Sequence, residues 1–407
     1  MPSLVGWLDQ SEEQQRKMRE VIALFGEKNT VDDIGIGVVR DAFSDLLFPG
    51  LSTVQTRVRY FLFVPWVYQR LEAERVPSGK ADQVARQWEI ELIRSLKNGG
   101  AEAGVIGINA GDRLKQLPSF IYWNGLRTHG IRLFNGTRAD YHRSMSRINE
   151  SNRALRNVEL HFDNPVLEPR WHANLPWAPE DLWSQSTLDL TEAEAEYLQE
   201  RFIASAPDSL LAHLARKPAP IDDKLPMPWN SVTVDELSPA LATNLAIARY
   251  FSEAIHGAPL LYNLMLAEKS AERGLAHGDL VDRYHNELER WQDLVGGVGG
   301  GHGISRTDFW ATVTQTGANV TWPAKQFIDG WLDLVRDGVA VETSDAAWQL
   351  IDRRERTLKK GLSRLGNSRA LENWGGASGA GQLTFRWAEG RSAINDLAAG
   401  LGVDADA

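Results

Sequence analysis

The sequence predicts a mainly α-helical fold of two packed helical lobes with minor β content. Apolar residues recur at three- and four-residue spacing along most of the chain, and alternating runs are scarce. Hydrophobic residues make up 43% and charged residues 24% of the 407, a globular balance that argues for a buried core and against a disordered or fibrous chain. A chain this long exceeds one ordinary core, so two units are expected.

Taken in order, the first helix spans Ser11–Leu24. The second, Ile36–Leu47, sets Ile36, Val39, Phe43, Leu46 and Leu47 in one apolar stripe with Asp41 and Asp45 almost opposite. The Phe48-Pro-Gly50 turn ends it and returns the chain into Val54–Glu74, whose middle, Tyr60 to Tyr68, is apolar all round and so buried. Ala81–Lys97 and Arg138–Asn157 follow by the same spacing. Residues Phe162–Pro179 carry four prolines and two tryptophans without helical period, and are expected to run irregularly between the lobes. That places one lobe at 1–161, a connector at 162–179 and a second lobe at 180–407. Helical spacing then continues over Glu192–Ala204, Pro207–Arg216, Pro239–Ser270 with an expected kink at Pro259, His277–Leu294, Ser305–Thr316, Pro323–Asp337, Ser344–Leu365 and Trp387–Leu401. Short strands are expected near Ile131–Phe134 and Gln382–Phe385.

Composition removes several function classes. There is no cysteine, which excludes disulfides, iron–sulfur clusters, zinc ribbons and thiol nucleophiles. None of the nine histidines forms a His-Glu-x-x-His or His-x-His pair, so neither a metal site nor any other cofactor is expected. Gly296 to Gly303 and Gly375 to Gly381 are dense in glycine but lack the Gly-Lys-Ser/Thr ending of a phosphate-binding loop, which disfavours nucleotide hydrolysis. No apolar stretch approaches the roughly 18 residues of a membrane span, and the first residues show no basic region followed by an apolar core, so secretion is not expected. A cytoplasmic location is therefore expected.

The formal net charge of −10 counts against nucleic-acid binding only if charge is evenly spread. From Arg113 to Arg156 nine Lys/Arg face two acids, and from Arg353 to Arg369 seven face one. Arg132, Arg138, Arg143, Arg147, Lys359, Lys360 and Arg364 are the candidate phosphate contacts. Solvated helix faces explain the same pattern.

The candidate chemistry lies in three places. Asp41 and Asp45, one helical turn apart, repel each other and call for compensation by Arg40, Arg57 or Arg59; the hairpin expected after Phe48-Pro-Gly50 would bring Gln55, Arg57 and Arg59 towards them. The alternative is an Arg/Asp network that only pins two helices. Tyr122, Trp123 and Asn124, with Arg127 nearby, offer rings, an amide and a guanidinium of the kind that stack on and read a nucleobase, although aromatics of a helical chain are also core material. His256 and Asn263, seven residues apart, share one face of a helix, where a satisfied core role competes with a functional one.

Six blocks taken together resemble a bacterial family catalogued as a domain of unknown function and associated with phage defence, and are similar to antiphage DNA glycosylases that excise glucosylated hydroxymethylcytosine. They are Gly6-Trp-Leu-Asp9, Gly35-Ile-Gly-Val-Val-Arg-Asp-Ala-Phe-Ser-Asp-Leu-Leu-Phe-Pro-Gly50, Gln55-Thr-Arg-Val-Arg-Tyr-Phe-Leu-Phe-Val-Pro-Trp66, Tyr122-Trp-Asn-Gly-Leu-Arg127, Ala254-Ile-His-Gly257 and Trp374-Gly-Gly-Ala-Ser-Gly379. The resemblance implies a double-stranded, modified phage DNA as partner and cleavage of an N-glycosidic bond; protein partners are unknown. Such cleavage passes through a sugar cation, which a carboxylate stabilises or captures by activating water. Asp45 or Asp41 is then the expected catalytic group, with Arg40, Gln55, Arg57, Arg59, Tyr122, Trp123, Asn124, Arg127, His256 and Asn263 as substrate contacts. A non-enzymatic DNA-binding scaffold, or a nuclease using Asp33, Asp41 and Asp45 to hold Mg²⁺, is the rival expectation.

Overall fold

The computed structural model describes residues 34–101, 103–156, 169–275, 278–297 and 304–403. The expected helix Ser11–Leu24, the Gly6-Trp-Leu-Asp9 block, Asp33 and most of the first glycine-rich stretch lie outside the described residues. Within them the chain forms fourteen α-helices and no extended strand; the sole pairing recorded is an isolated antiparallel bridge between Arg132 and Trp171. The fold is mainly α. Ile131–Phe134 makes only this bridge, its backbone bonded to 170–172 over too few residues for a strand, and Gln382–Phe385 makes no strand.

Two compact units are present, one comprising 44–241 with 386–407 and the other 1–43 with 242–385. This division differs from a cut at 162–179. The described part of the connector, 169–179, packs into the first unit's core: Trp171 is buried among Tyr68, Trp123 and Tyr141, and the buried Trp66 indole donates to the Pro176 carbonyl at 2.7 Å. Lack of helical period marked irregular backbone there, but said nothing about burial.

The unit of 44–241 is built round α2 (Tyr60–Ala73), whose residues 60 to 68 are all buried. Helices α3 (Ser78–Asn98), α4 (Pro118–Thr128) and α5 (Arg138–Arg156) pack against it. The pair α6 (Glu192–Ser205) and α7 (Leu210–Arg216) packs with the C-terminal α14 (Trp387–Gly400). Local signals set several ends. Thr191 and Glu194 form a capping box at α6, and the Ser209 hydroxyl caps α7. The predicted start at Val54 is moved to Tyr60, since 54–59 run as a loop whose side chains reach other segments. The helix α4 was not expected from the sequence; Pro118 opens it at a position where a missing N–H is harmless.

The other unit centres on α8 (Pro239–Glu272), from Ala242 onwards, with α9 (Gly278–Gly297), α10 (Arg306–Thr314), α11 (Trp322–Arg336), α12 (Asp345–Lys359) and the short α13 (Ser368–Glu372). Indole donors tie it together: Trp291 to the Glu253 carbonyl at 2.8 Å and Trp331 to that of Ala254 at 2.9 Å. On α11, Ala324, Phe327, Ile328, Trp331 and Leu332 form the buried stripe of an amphipathic helix. The expected helix to Leu365 stops at Lys359, because Lys360 takes a left-handed conformation (φ 51°). The helix α1 (Gly37–Leu47) carries the boundary between units, with Phe43 the last residue of one and Ser44 the first of the other.

Candidate functional site

The stripe predicted for α1 is present: Ile36, Val39, Phe43 and Leu47 are buried, and Phe43 packs on Phe251, Phe309 and Phe385 at 5.5 to 5.9 Å. Leu46 is only half-buried. Asp41 and Asp45 are both exposed, as the helical wheel requires.

One partner is among those expected and the other is not. Asp41 is held by Arg40 at 3.0 Å, one of the three predicted compensators. Asp45, whose side chain stays 55% exposed, accepts from Arg386 at 2.5 Å. Arg386 precedes α14 in a left-handed conformation (φ 63°), directly after Phe385 (φ 53°). Two consecutive non-glycine residues in this region are energetically unfavourable, and such strain concentrates where a side chain must be aimed. Here it orients a guanidinium onto a surface carboxylate.

Arg57 and Arg59 do not reach the aspartates; each ends in an ion pair elsewhere in the same unit. Arg57 binds Asp396 at 2.7 Å and Asp189 at 3.3 Å, and Asp396 also accepts the Val58 amide at 3.0 Å. Burial pushes Asp396 up to about 6 even though Arg57 draws it down, so desolvation outweighs the pair. Arg59 is buried, donating to Glu194 at 2.8 Å and to the Thr187 carbonyl at 2.8 Å. Gln55 folds back to the turn, donating to the Gly50 carbonyl at 3.2 Å and accepting the Ser52 amide. All three fasten 48–59, and the buried Arg59 is admitted to the core because it is paired.

The expected base pocket is not formed. Tyr122 is sealed in the core, its hydroxyl accepting from the Thr56 amide and donating to the Arg57 carbonyl, both at 2.9 Å. Trp123 is buried, with its indole donating to Gly136 and its face under the Arg132 guanidinium. Arg132 is itself buried and spends its donors on the carbonyls of Trp123, Phe134 and Gly136, so it is no phosphate contact. Asn124 and Arg127 do project from α4 into solvent.

In the other unit His256, Asn263, Lys359 and Arg364 are brought together, but round the protein's own loop. Asn263 binds both the amide and the carbonyl of Ser378 at 2.8 Å, Arg364 donates to the Ser378 hydroxyl at 2.7 Å, and His256 meets the Ala380 carbonyl at 2.9 Å. Lys359 turns to the Tyr262 hydroxyl at 2.9 Å, beside the wholly buried Glu355. All four act as anchors of the glycine-rich segment and its surroundings, because its carbonyls have no ladder to satisfy them. Lys360 is exposed. On α5, Arg143 and Arg147 are exposed, Arg143 beside Asp140, while Arg138 pairs with Asp82 at 3.5 Å.

One polar centre has no signal in the sequence. Glu89 of α3 is fully buried and accepts the Ser119 amide at 2.7 Å and hydroxyl at 2.8 Å; burial raises it to about 7. Close by, the Tyr68 hydroxyl meets His142 Nε2 at 3.0 Å, and His142 Nδ1 meets Asp82 at 3.2 Å. A Glu in a helix rich in charge looks like surface; only the packing of α2, α4 and α5 makes Glu89 core.

The architecture and site define the class: a mainly α-helical protein of two compact units, with an exposed carboxylate held by a conformationally fixed arginine. The chain belongs to the Family of unknown function (DUF6361), whose model matches residues 2–400. No curated protein and no solved structure matches it.

Proposed function

We propose that the protein is a cytoplasmic DNA glycosylase that excises a modified cytosine, glucosylated hydroxymethylcytosine by resemblance, from double-stranded phage DNA as a defence. The observation that carries this reading is Asp45: its carboxylate is accessible and one oxygen is fixed by Arg386. Glycosidic cleavage leaves positive charge on the sugar, and an oriented carboxylate stabilises that charge or activates the attacking water. Arg127, Arg143 and Arg147 supply surface cations of the same unit for phosphates, and Asn124 an amide for a base edge. Asp41, in the other unit, is the second candidate carboxylate.

A non-enzymatic DNA-binding reading is favoured by the core placement of Tyr122 and Trp123 and the ion pairs of Arg57 and Arg59. One assay separates the two. Protein is incubated with glucosylated and with plain DNA in chelator, and free base and abasic sites are measured. Base release from glucosylated DNA is expected, with Asp45→Asn reducing it about 10²–10³-fold and leaving DNA binding and thermal melting unchanged. Binding without any released base overturns the glycosylase reading; full activity in both Asp45→Asn and Asp41→Asn overturns the site.

A further inference from the structure

Beyond α12 the chain makes an exposed turn that is clamped from below. Glu355 is wholly buried, and its carboxylate accepts the Tyr262 hydroxyl at 2.7 Å, the Ser363 hydroxyl at 2.5 Å and the amides of Arg364 and Leu365 at 2.7 and 3.1 Å. The Asn367 side-chain amide donates to the Gly361 carbonyl at 2.8 Å, and the Ser363 amide to that of Lys360 at 3.1 Å. Lys360 enters the turn at φ 51° and ψ −123°, a region that residues other than glycine seldom occupy. Leu362 stands on this turn with 73% of its surface exposed, the most exposed large apolar residue of its unit among the described residues. A lone exposed leucine is ordinary; one fixed on a turn tied at both ends and entered through an unfavourable backbone suits a contact with another molecule.

The surroundings set the chemistry of that partner. Arg353, Arg356, Lys360 and Arg369 are exposed, whereas the acids between Gln349 and Leu371 are Asp352, paired with Arg356 at 2.7 Å, and the buried Glu355. An open hollow on α12 is lined by Gln349, Asp352, Arg353, Arg356 and Thr357. Arg356 also approaches Gly366, whose amide donates to the Ser363 carbonyl at 3.2 Å, so the polar hollow and the apolar tip adjoin. A lipid surface calls for a broader apolar face than one leucine. A duplex matches better, because it offers phosphates to the cations and apolar gaps between its base pairs.

We propose, on the reading that this protein acts on DNA, that Leu362 is a wedge entering the base stack of the duplex, with Arg353, Lys360 and Arg369 on the phosphates beside it. Prising one step apart makes a neighbouring base easier to turn outwards. A backbone fixed beforehand through Glu355 loses little freedom on insertion, which is what the clamp supplies.

The test uses the full chain and duplexes, plain or containing one glucosylated hydroxymethylcytosine, with 2-aminopurine placed at successive positions along one strand. Unstacking brightens 2-aminopurine, so the wild type should raise its fluorescence. Leu362→Ala should abolish that rise and weaken binding about ten-fold, while the salt dependence of binding stays the same. Leu362→Met should restore both. Lys360→Gln should lower the salt slope by about 1 on either duplex. Melting temperatures should not change, since both side chains are exposed. A rise undiminished in Leu362→Ala, or duplex binding by the wild type with no rise at any position, overturns the wedge whether or not base is released. A Leu362-dependent rise without base release upholds the wedge and overturns the glycosylase. Absence of binding to either duplex overturns the wedge, and Leu362-dependent capture by phosphatidylglycerol vesicles would then assign the turn to a lipid surface.

Discussion

At the scale of single residues, burial decides which charged groups are structural and which remain available. Arg59 and Glu194 are both nearly inaccessible and paired at 2.8 Å. Removing one partner strands the other in the core, so Arg59→Met should lower unfolding free energy by about 3–5 kcal/mol, read from chemical denaturation. Adding Glu194→Gln should recover part of that loss. Glu89 gives a pH-dependent case. Its folded pKa of about 7 stands above the ordinary 4.5, so between those values the folded state holds a proton that the unfolded state has released. Stability therefore falls as pH rises through this window, by at most roughly 3 kcal/mol. Asp396, pushed up to about 6, adds a decline of the same sign at lower pH. Glu89→Gln keeps an acceptor for the Ser119 amide and should flatten the decline in denaturation midpoints between pH 5 and 8; an unchanged slope would assign the effect elsewhere. Asp45 contrasts with both, since an exposed ion pair contributes little to folding, and its isosteric replacement should leave stability alone.

At the scale of elements, turns and caps fix where helices point. Gly50 closes the turn after α1 with φ 76°, and a Cβ there would lie 2.5 Å from His129 Nε2. His129 is buried between Phe61 and Phe202, so it cannot move aside. Gly50→Ala should thus lower the melting temperature sharply, whereas Thr191→Ala, which removes the capping box of α6, should cost about 1 kcal/mol. The glycine-rich segment after α13 is held by α8 through Asn263. Asn263→Ala should raise amide hydrogen exchange across residues 376–381 while leaving that of α3 and α4 unchanged. Much at this scale was legible: Thr191-x-x-Glu194, the stripe of α1 and the all-apolar α2 are local patterns with local causes. The helix α4 was not, because Gly125 interrupts a short aromatic run. That glycine is required where a Cβ would lie 2.3 Å from the Gly50 carbonyl, a contact between segments far apart in sequence.

At the scale of the whole molecule, residues 386–407 belong with 44–241 and not with the chain that immediately precedes them. Trp387 packs on Phe48 and donates to the Leu225 carbonyl at 2.8 Å, while Asp396 receives Arg57 and the Val58 amide. A chain ending at Phe385 should lose the folded core of 44–241, seen as rapid limited proteolysis there, and fragments cut between 161 and 180 should not fold separately. Among the described residues no helix is long and apolar enough to cross a membrane. The sequence by itself determined the helical class, most helix spans, and the exposed placement of Asp41 and Asp45, because hydrophobic period acts over a few residues. Only the tertiary structure decided that Arg386, 341 residues away, would meet Asp45, that Arg57 and Arg59 would turn inward, and that Glu89 would be buried. Period assigns a residue to a face of its own helix. What covers that face, and which distant charge answers it, depends on packing between elements that no local pattern encodes.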